Sequence, residues 1–181
     1  LFGCGPLGPI PGNWLRGELV TEPVQDWSFT DDYFEIQVET RGNWLPHSVT
    51  TICMAVGPHL YVPARRGGVK TWVANLIKDP RARIRIGGQV YERTAVRVME
   101  GEELGPAALA LLRKYYGVEA DAATFLTETP AEDDDRVDLW VFRMDPRDER
   151  AESAASSSGA AAGSFSDAAR ASPSAAAGGA S

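Results

Sequence analysis

The stretch Leu60–Val98, LYVPARRGGVKTWVANLIKDPRARIRIGGQVYERTAVRV, constrains the chain most. It reads as strand, cationic glycine turn, short helix and hairpin with no room for a linker between them. It also concentrates charge. Arg65, Arg66, Lys70, Lys78, Arg81, Arg83, Arg85, Arg93 and Arg97 oppose only Asp79 and Glu92, which makes this run +7 inside a chain of net charge −7. A compact cationic segment in an acidic protein points to a small anionic ligand, with bound phosphate the natural candidate. Nucleic-acid binders spread basic residues over a whole face, and here the aromatics do not interleave with the basic row.

The 181 residues suit one domain, and 44% hydrophobic residues with five Trp can supply its core. From about Glu152 onward the chain is Ala, Ser and Gly with scattered Pro173, Asp167 and Arg170, too poor in branched and aromatic residues to offset chain entropy. The expected organisation is a Pro/Gly-rich arm over 1–13, a folded domain over 14–147 and a disordered tail over 148–181. Cys4 and Cys53 lack metal-ligand spacing and the only histidines are His47 and His59, so no metal site is expected. Cys53 lies in the apolar run VTTICMAV and reads as a buried, inert thiol. No apolar run is long enough to span a bilayer. The opening LFGC is similar to the end of a bacterial lipoprotein signal. The chain is thus expected in the cytoplasm by default, and in the cell envelope if Cys4 is a lipidated N-terminus.

Phe34–Thr40 alternates Phe34, Ile36 and Val38 with Glu35, Gln37 and Glu39, the period of a half-buried strand, and RGNWLP turns the chain. Ser48–Val56 is apolar on both faces and reads as one central strand, followed by Leu60–Val62. In Lys70–Lys78, Trp72 with Leu76 and Val73 with Ile77 give one helix face, and Asp79-Pro80 stops it. Ala82, Ile84 and Ile86 alternate with Arg81, Arg83 and Arg85. This arginine row reads as a solvated edge, and Gly87-Gly88 as a tight hairpin into Gln89–Val98. Pro106–Tyr116 is a helix with a Leu104/Leu109/Leu112 face, ended by Gly117, and Val137–Met144 is the closing strand. Sequential antiparallel strands with tight turns predict a mainly β fold: a split antiparallel β-barrel of six or more strands, one short inserted helix and one capping helix.

Arg65, Arg66, Gly67, Gly68, Lys70 and Thr71 converge on the start of the short helix, where unpaired N–H groups and the helix dipole favour an anion. The competing reading is a solvated turn paired with the acidic residues Asp133, Asp134 and Asp135. Trp72, Tyr61 and Tyr91 fit either ring packing against a cofactor or the barrel core.

The segments LYVPARRGG, KTWVANLIKDPRARIRIGG and YERTAVRV, within Val49–Val98, resemble the split β-barrel flavin-binding superfamily. That superfamily includes pyridoxamine 5'-phosphate oxidase-like and deazaflavin-dependent nitroreductase-like proteins. Trp72, Asn75, Leu76 and Pro80 fit the order seen in the deazaflavin-type members. The family's Gly-Arg-Lys-Ser-Gly turn is replaced here by Arg41-Gly42-Asn43-Trp44-Leu45-Pro46-His47, and Val69-Lys70-Thr71 stands where relatives often carry a proline before the Trp. The resemblance implies FMN or a deazaflavin as cofactor, a homodimer with the cofactor where two subunits meet, and a small-molecule substrate. It places Trp72 and Asn75 in the cofactor site, with His47, Ser48, Thr50 and Thr51 on a strand along the ring and ribityl chain. His47 equally reads as the end of a turn. The function implied is a flavin- or deazaflavin-dependent oxidoreductase, and the alternative is a non-enzymatic ligand-binding or envelope-attached module on the same barrel.

Overall fold

Gly87 and Gly88 both take positive φ (57° and 92°), as a two-residue turn between right-twisted strands demands, and they join β6 (Arg81–Ile86) to β7 (Gln89–Val98). This hairpin organises the sheet. In the computed structural model, which describes residues 5–8, 10–99, 103–117 and 139–147, the described residues belong to a compact unit, Leu1–Arg147. The predicted tail lies outside the described residues. The remaining strands are β1 (Glu18–Val20), β2 (Ile36–Arg41), β3 (Pro46–Thr51), β4 (Met54–Val56), β5 (His59–Arg65) and β8 (Leu139–Pro146). The helices are α1 (Thr71–Lys78) and α2 (Leu104–Tyr116).

Seven of the eight strands follow the order β3-β2-β6-β7-β8-β5-β4, antiparallel throughout, and the eighth, β1, runs parallel to β7 at Gln89–Tyr91. The expected single central strand over Ser48–Val56 is therefore two strands, at opposite ends of the path. Only Ile52 and Cys53 separate them, so the two ends of the sheet are tied by a two-residue link and the sheet has to curl on itself. β3 and β4 do not pair, which leaves the barrel split. An apolar run on both faces arises here because one end faces α1 and the other faces α2, each covering a different part of the curled sheet.

Tyr115 holds that link. Its hydroxyl accepts from Cys53 N–H at 3.1 Å and is within donating distance of Cys53 O (2.9 Å) and Phe34 O (3.1 Å). Burial pushes the Tyr115 phenol up to about 12 from its usual 10.0. An acid held neutral in the fold contributes stability that is complete below pH 10 and lost as the pH rises through 12. Stability should therefore fall across that window. Tyr115→Phe should be less stable at neutral pH by about 1–3 kcal/mol, because Cys53 N–H loses its partner, and should show a shallower alkaline decline. Denaturant titrations at stepped pH test this; equal slopes for the two proteins would refute it.

Strand alternation sends Ile36, Val38, Ala82, Ile84 and Ile86 into one core with Trp72, Val73 and Leu76 of α1. A second cluster, Met54, Tyr61, Val141, Ala107 and Leu111, lies under α2. The face of α2 is thus Leu104, Ala107 and Leu111 rather than the expected Leu104, Leu109 and Leu112, because small Ala107 lets the helix approach the strands. On α1, Ile77 is exposed, so the face narrows to Trp72, Val73 and Leu76. The Cys53 side chain is buried, and burial raises its thiol pKa, as an inert core cysteine requires.

Candidate functional site

The arginines of β6 are not on an edge. β6 lies between β2 and β7, and its outward side chains are paired: Arg81 with Asp79 at 2.6 Å, Arg83 with Glu39 at 3.3 Å, Arg85 with Gln37 at 3.0 Å. The Arg81 hydrogen bond also holds the Asp79 carboxyl below the usual carboxylate range. Arg93 points to the opposite face and is buried, its guanidinium 4.8 Å from the Trp27 ring centroid. The cationic run is therefore divided by strand alternation, and the part left at the sequence-predicted turn is Arg65, Arg66 and Lys70.

That turn is built as follows. β5 ends at Arg65, Arg66 adopts the left-handed region (φ 53°, ψ 49°), and Gly67–Val69 form a short 3-10 turn into α1. Arg66, Gly68, Lys70 and Thr71 are exposed, and no side chain caps the start of α1. Gly67 is buried, and a β-carbon there would fall inside the indole of Trp140. On that indole lies the Arg97 guanidinium, 3.3 Å from the ring centroid. Arg97 thus joins the turn through Trp140, a neighbour contributed by β8 that local sequence spacing could not reveal. Gly67→Ala should displace the turn and destabilise the protein by about 1–3 kcal/mol, the usual cost of overpacking. Gly68→Ala serves as the exposed control, and equal stability of the two variants would contradict this.

The other sequence-predicted residues separate into two groups. Trp72 is 6% exposed and packs on Phe142 with ring centroids 6.0 Å apart, so it belongs to the core, as do Tyr61 and Tyr91. Asn75 and His47 meet through Thr40: Asn75 Nδ2 donates to Thr40 Oγ1 at 3.1 Å, and Thr40 Oγ1 donates to His47 O at 3.2 Å. This chain ties α1 to β2 and β3. Partial burial lowers the His47 pKa. Ser48 is fully buried, its hydroxyl has no partner, and both its backbone groups pair with Gly12 of the N-terminal arm at 2.8 Å. Thr50 lines a surface hollow beside Pro6, Leu7 and Gly8 of that arm, and Thr51 pairs with Ile36 at the end of β3. The cationic turn and the β3 residues are therefore linked through α1, while the arm crosses β3. Asp133, Asp134 and Asp135 lie outside the described residues. Among the described residues, no group of three or more His, Cys, Asp or Glu side chains is placed to hold a metal ion. No helix there is long and apolar enough to cross a membrane.

Strand order, the two-residue link and the inserted helix define a split β-barrel protein. No family model matches the chain, and no curated protein matches it. Solved structures do. A conserved hypothetical protein of Mycobacterium tuberculosis superposes with a TM-score of 0.51 at 16% identity, covering 72% of this chain and 86% of that one. An F420-H2 dependent reductase superposes at 0.46 with 20% identity, over 62% and 95% of the two chains. The heme storage protein of Vibrio cholerae does so at 0.46 with 15% identity, over 66% and 86%. At this identity the likeness shows the fold alone, a split β-barrel.

Proposed function

We propose that this chain is a flavin- or deazaflavin-dependent oxidoreductase acting on a small molecule, as a homodimer, with FMN or a deazaflavin as its cofactor. The observation that carries this reading is the cationic turn: left-handed Arg66, a glycine pair and an uncapped helix start, with Lys70 and Thr71 at the surface. These residues suit a phosphate group, because exposed guanidinium, ammonium and backbone N–H donors converge where the helix dipole is positive. Arg65, Arg66, Lys70 and Thr71 would hold the phosphate. Gly67 and Gly68 would let the backbone approach it, and His47, Thr50 and Thr51 would supply polar contacts along β3. Hydride transfer would be the cofactor's chemistry, so the protein needs to bind, orient and exclude water rather than supply a strong acid or base.

A second reading, the non-enzymatic ligand-binding or envelope-attached module, is favoured by two observations on the same barrel. Trp72, Tyr61 and Tyr91 are all core, which leaves none of them to pack against a ring, and Gly12 occupies the backbone of Ser48. Titrating the full chain with FMN and, separately, with a deazaflavin, following ligand fluorescence, separates the two. Micromolar one-to-one binding of either is expected. Failure of both to bind moves the assignment to the module.

A further inference from the structure

A cavity of about 350 Å³ opens beside the outward arginines of β6 and shares no lining residue with the cationic turn. Trp14, just after the N-terminal arm, with Trp44 and Leu45 of the β2–β3 turn and Pro46 at the start of β3, makes its apolar wall. Trp44 is 95% exposed and Leu45 and Trp14 are also at the surface, so these side chains are not committed to the core. The opposite wall is cationic: besides Arg81, which Asp79 holds at 2.6 Å, it carries Arg41, Arg83 and Arg147 against Glu39 and Glu92.

Both carboxylates are already used. Glu39 accepts from Leu15 N–H and from Arg83 Nη1. Glu92 accepts from Arg147 Nη1 at 2.7 Å and faces Arg83 Nε at 3.8 Å, beyond hydrogen-bonding reach. Arg41 alone of these four arginines makes no hydrogen bond or ion pair among the described residues, its charge reaching only Asp79 at longer range. A ligand that completes this cavity has to bring acceptors and negative charge, and its body has to suit indole faces and planar guanidinium groups. The volume sits at the small end of the range for organic-ligand sites.

We propose that this cavity binds a single-ring aromatic acid, with its carboxylate on Arg41 and the inner arginines and its ring against Trp44 and Trp14. The proposal needs neither a flavin nor the Arg65–Thr71 turn, although its turn residues Arg41–Pro46 adjoin His47, which the cofactor reading also uses. It is tested by titrating the full chain, without any flavin, with benzoate by calorimetry. Cyclohexanecarboxylate, benzamide and inorganic phosphate are the comparison probes. Benzoate should saturate one site, and each comparison probe should bind at least about tenfold more weakly, since each lacks the planar ring or the charge. Arg41→Ala should weaken benzoate about tenfold, and Trp44→Ala should remove its advantage over cyclohexanecarboxylate. Both side chains are exposed, so neither change threatens the fold. No saturation by about 10 mM benzoate would overturn the proposal. So would affinity unchanged in both variants, or phosphate binding as tightly as benzoate. A tryptophan emission shift with phosphatidylglycerol vesicles but none with benzoate would also overturn it, assigning the exposed indoles to a bilayer surface instead.

Discussion

Truncating Phe142 to Ala should destabilise the folded chain by about 3–5 kcal/mol, the range for deleting a fully buried aromatic ring. Phe142 is 1% exposed at the middle of β8, opposite Val62 of β5 and Arg97 of β7. It packs on Trp72, so its ring joins the sheet to α1 beneath the cationic turn. No rearrangement of rigid, interlocked strands can refill that volume, so transfer and cavity costs add. Urea unfolding measures the loss. Ile77→Ala, on the exposed side of α1, should change stability by no more than about 0.5 kcal/mol. A Phe142→Ala loss below about 1 kcal/mol would mean that β8 is not central to the core.

Replacing Arg65 and Arg66 together by Ala should weaken cofactor binding by about 2–4 kcal/mol, roughly 30- to 1,000-fold, if their guanidinium groups hold its phosphate. Arg66 has a left-handed backbone, so the alanine change alone also retains strain there. Arg66→Gly separates the effects: it deletes the charge and relieves the backbone, so it should bind weakly and yet be at least as stable as the parent. Affinity for FMN and for a deazaflavin, measured by fluorescence, reports the first effect, and urea unfolding the second. Undiminished affinity for a cofactor that the parent binds would remove the turn from the site.

Much of the architecture was legible in local pattern. The alternation in Ile36–Thr40 and Arg81–Ile86, the Gly87-Gly88 turn and the Pro80 stop each state a backbone requirement that neighbours in sequence satisfy. β1 was not legible, since three residues carry no period. Glu18–Val20 becomes a strand only because β8 leaves that edge of β7 open at Gln89–Tyr91. The division of Ser48–Val56 was equally hidden. An apolar run states that a segment is buried on both faces, and not which elements bury it.

The same distinction applies to the candidate site. Order along the chain placed cation, glycine and helix start together, because a turn and the helix it feeds are contiguous and their geometry is local. Folding decided the rest. It withdrew Trp72, Tyr61, Tyr91 and Arg93 into the interior, set Arg97 on Trp140 beside Gly67, laid the N-terminal arm across β3, and brought Leu15 against Arg83. Those outcomes depend on which distant strands pair and in what register. In a sheet, a side chain's neighbours and its exposed face are properties of that pairing rather than of the residue and its spacing.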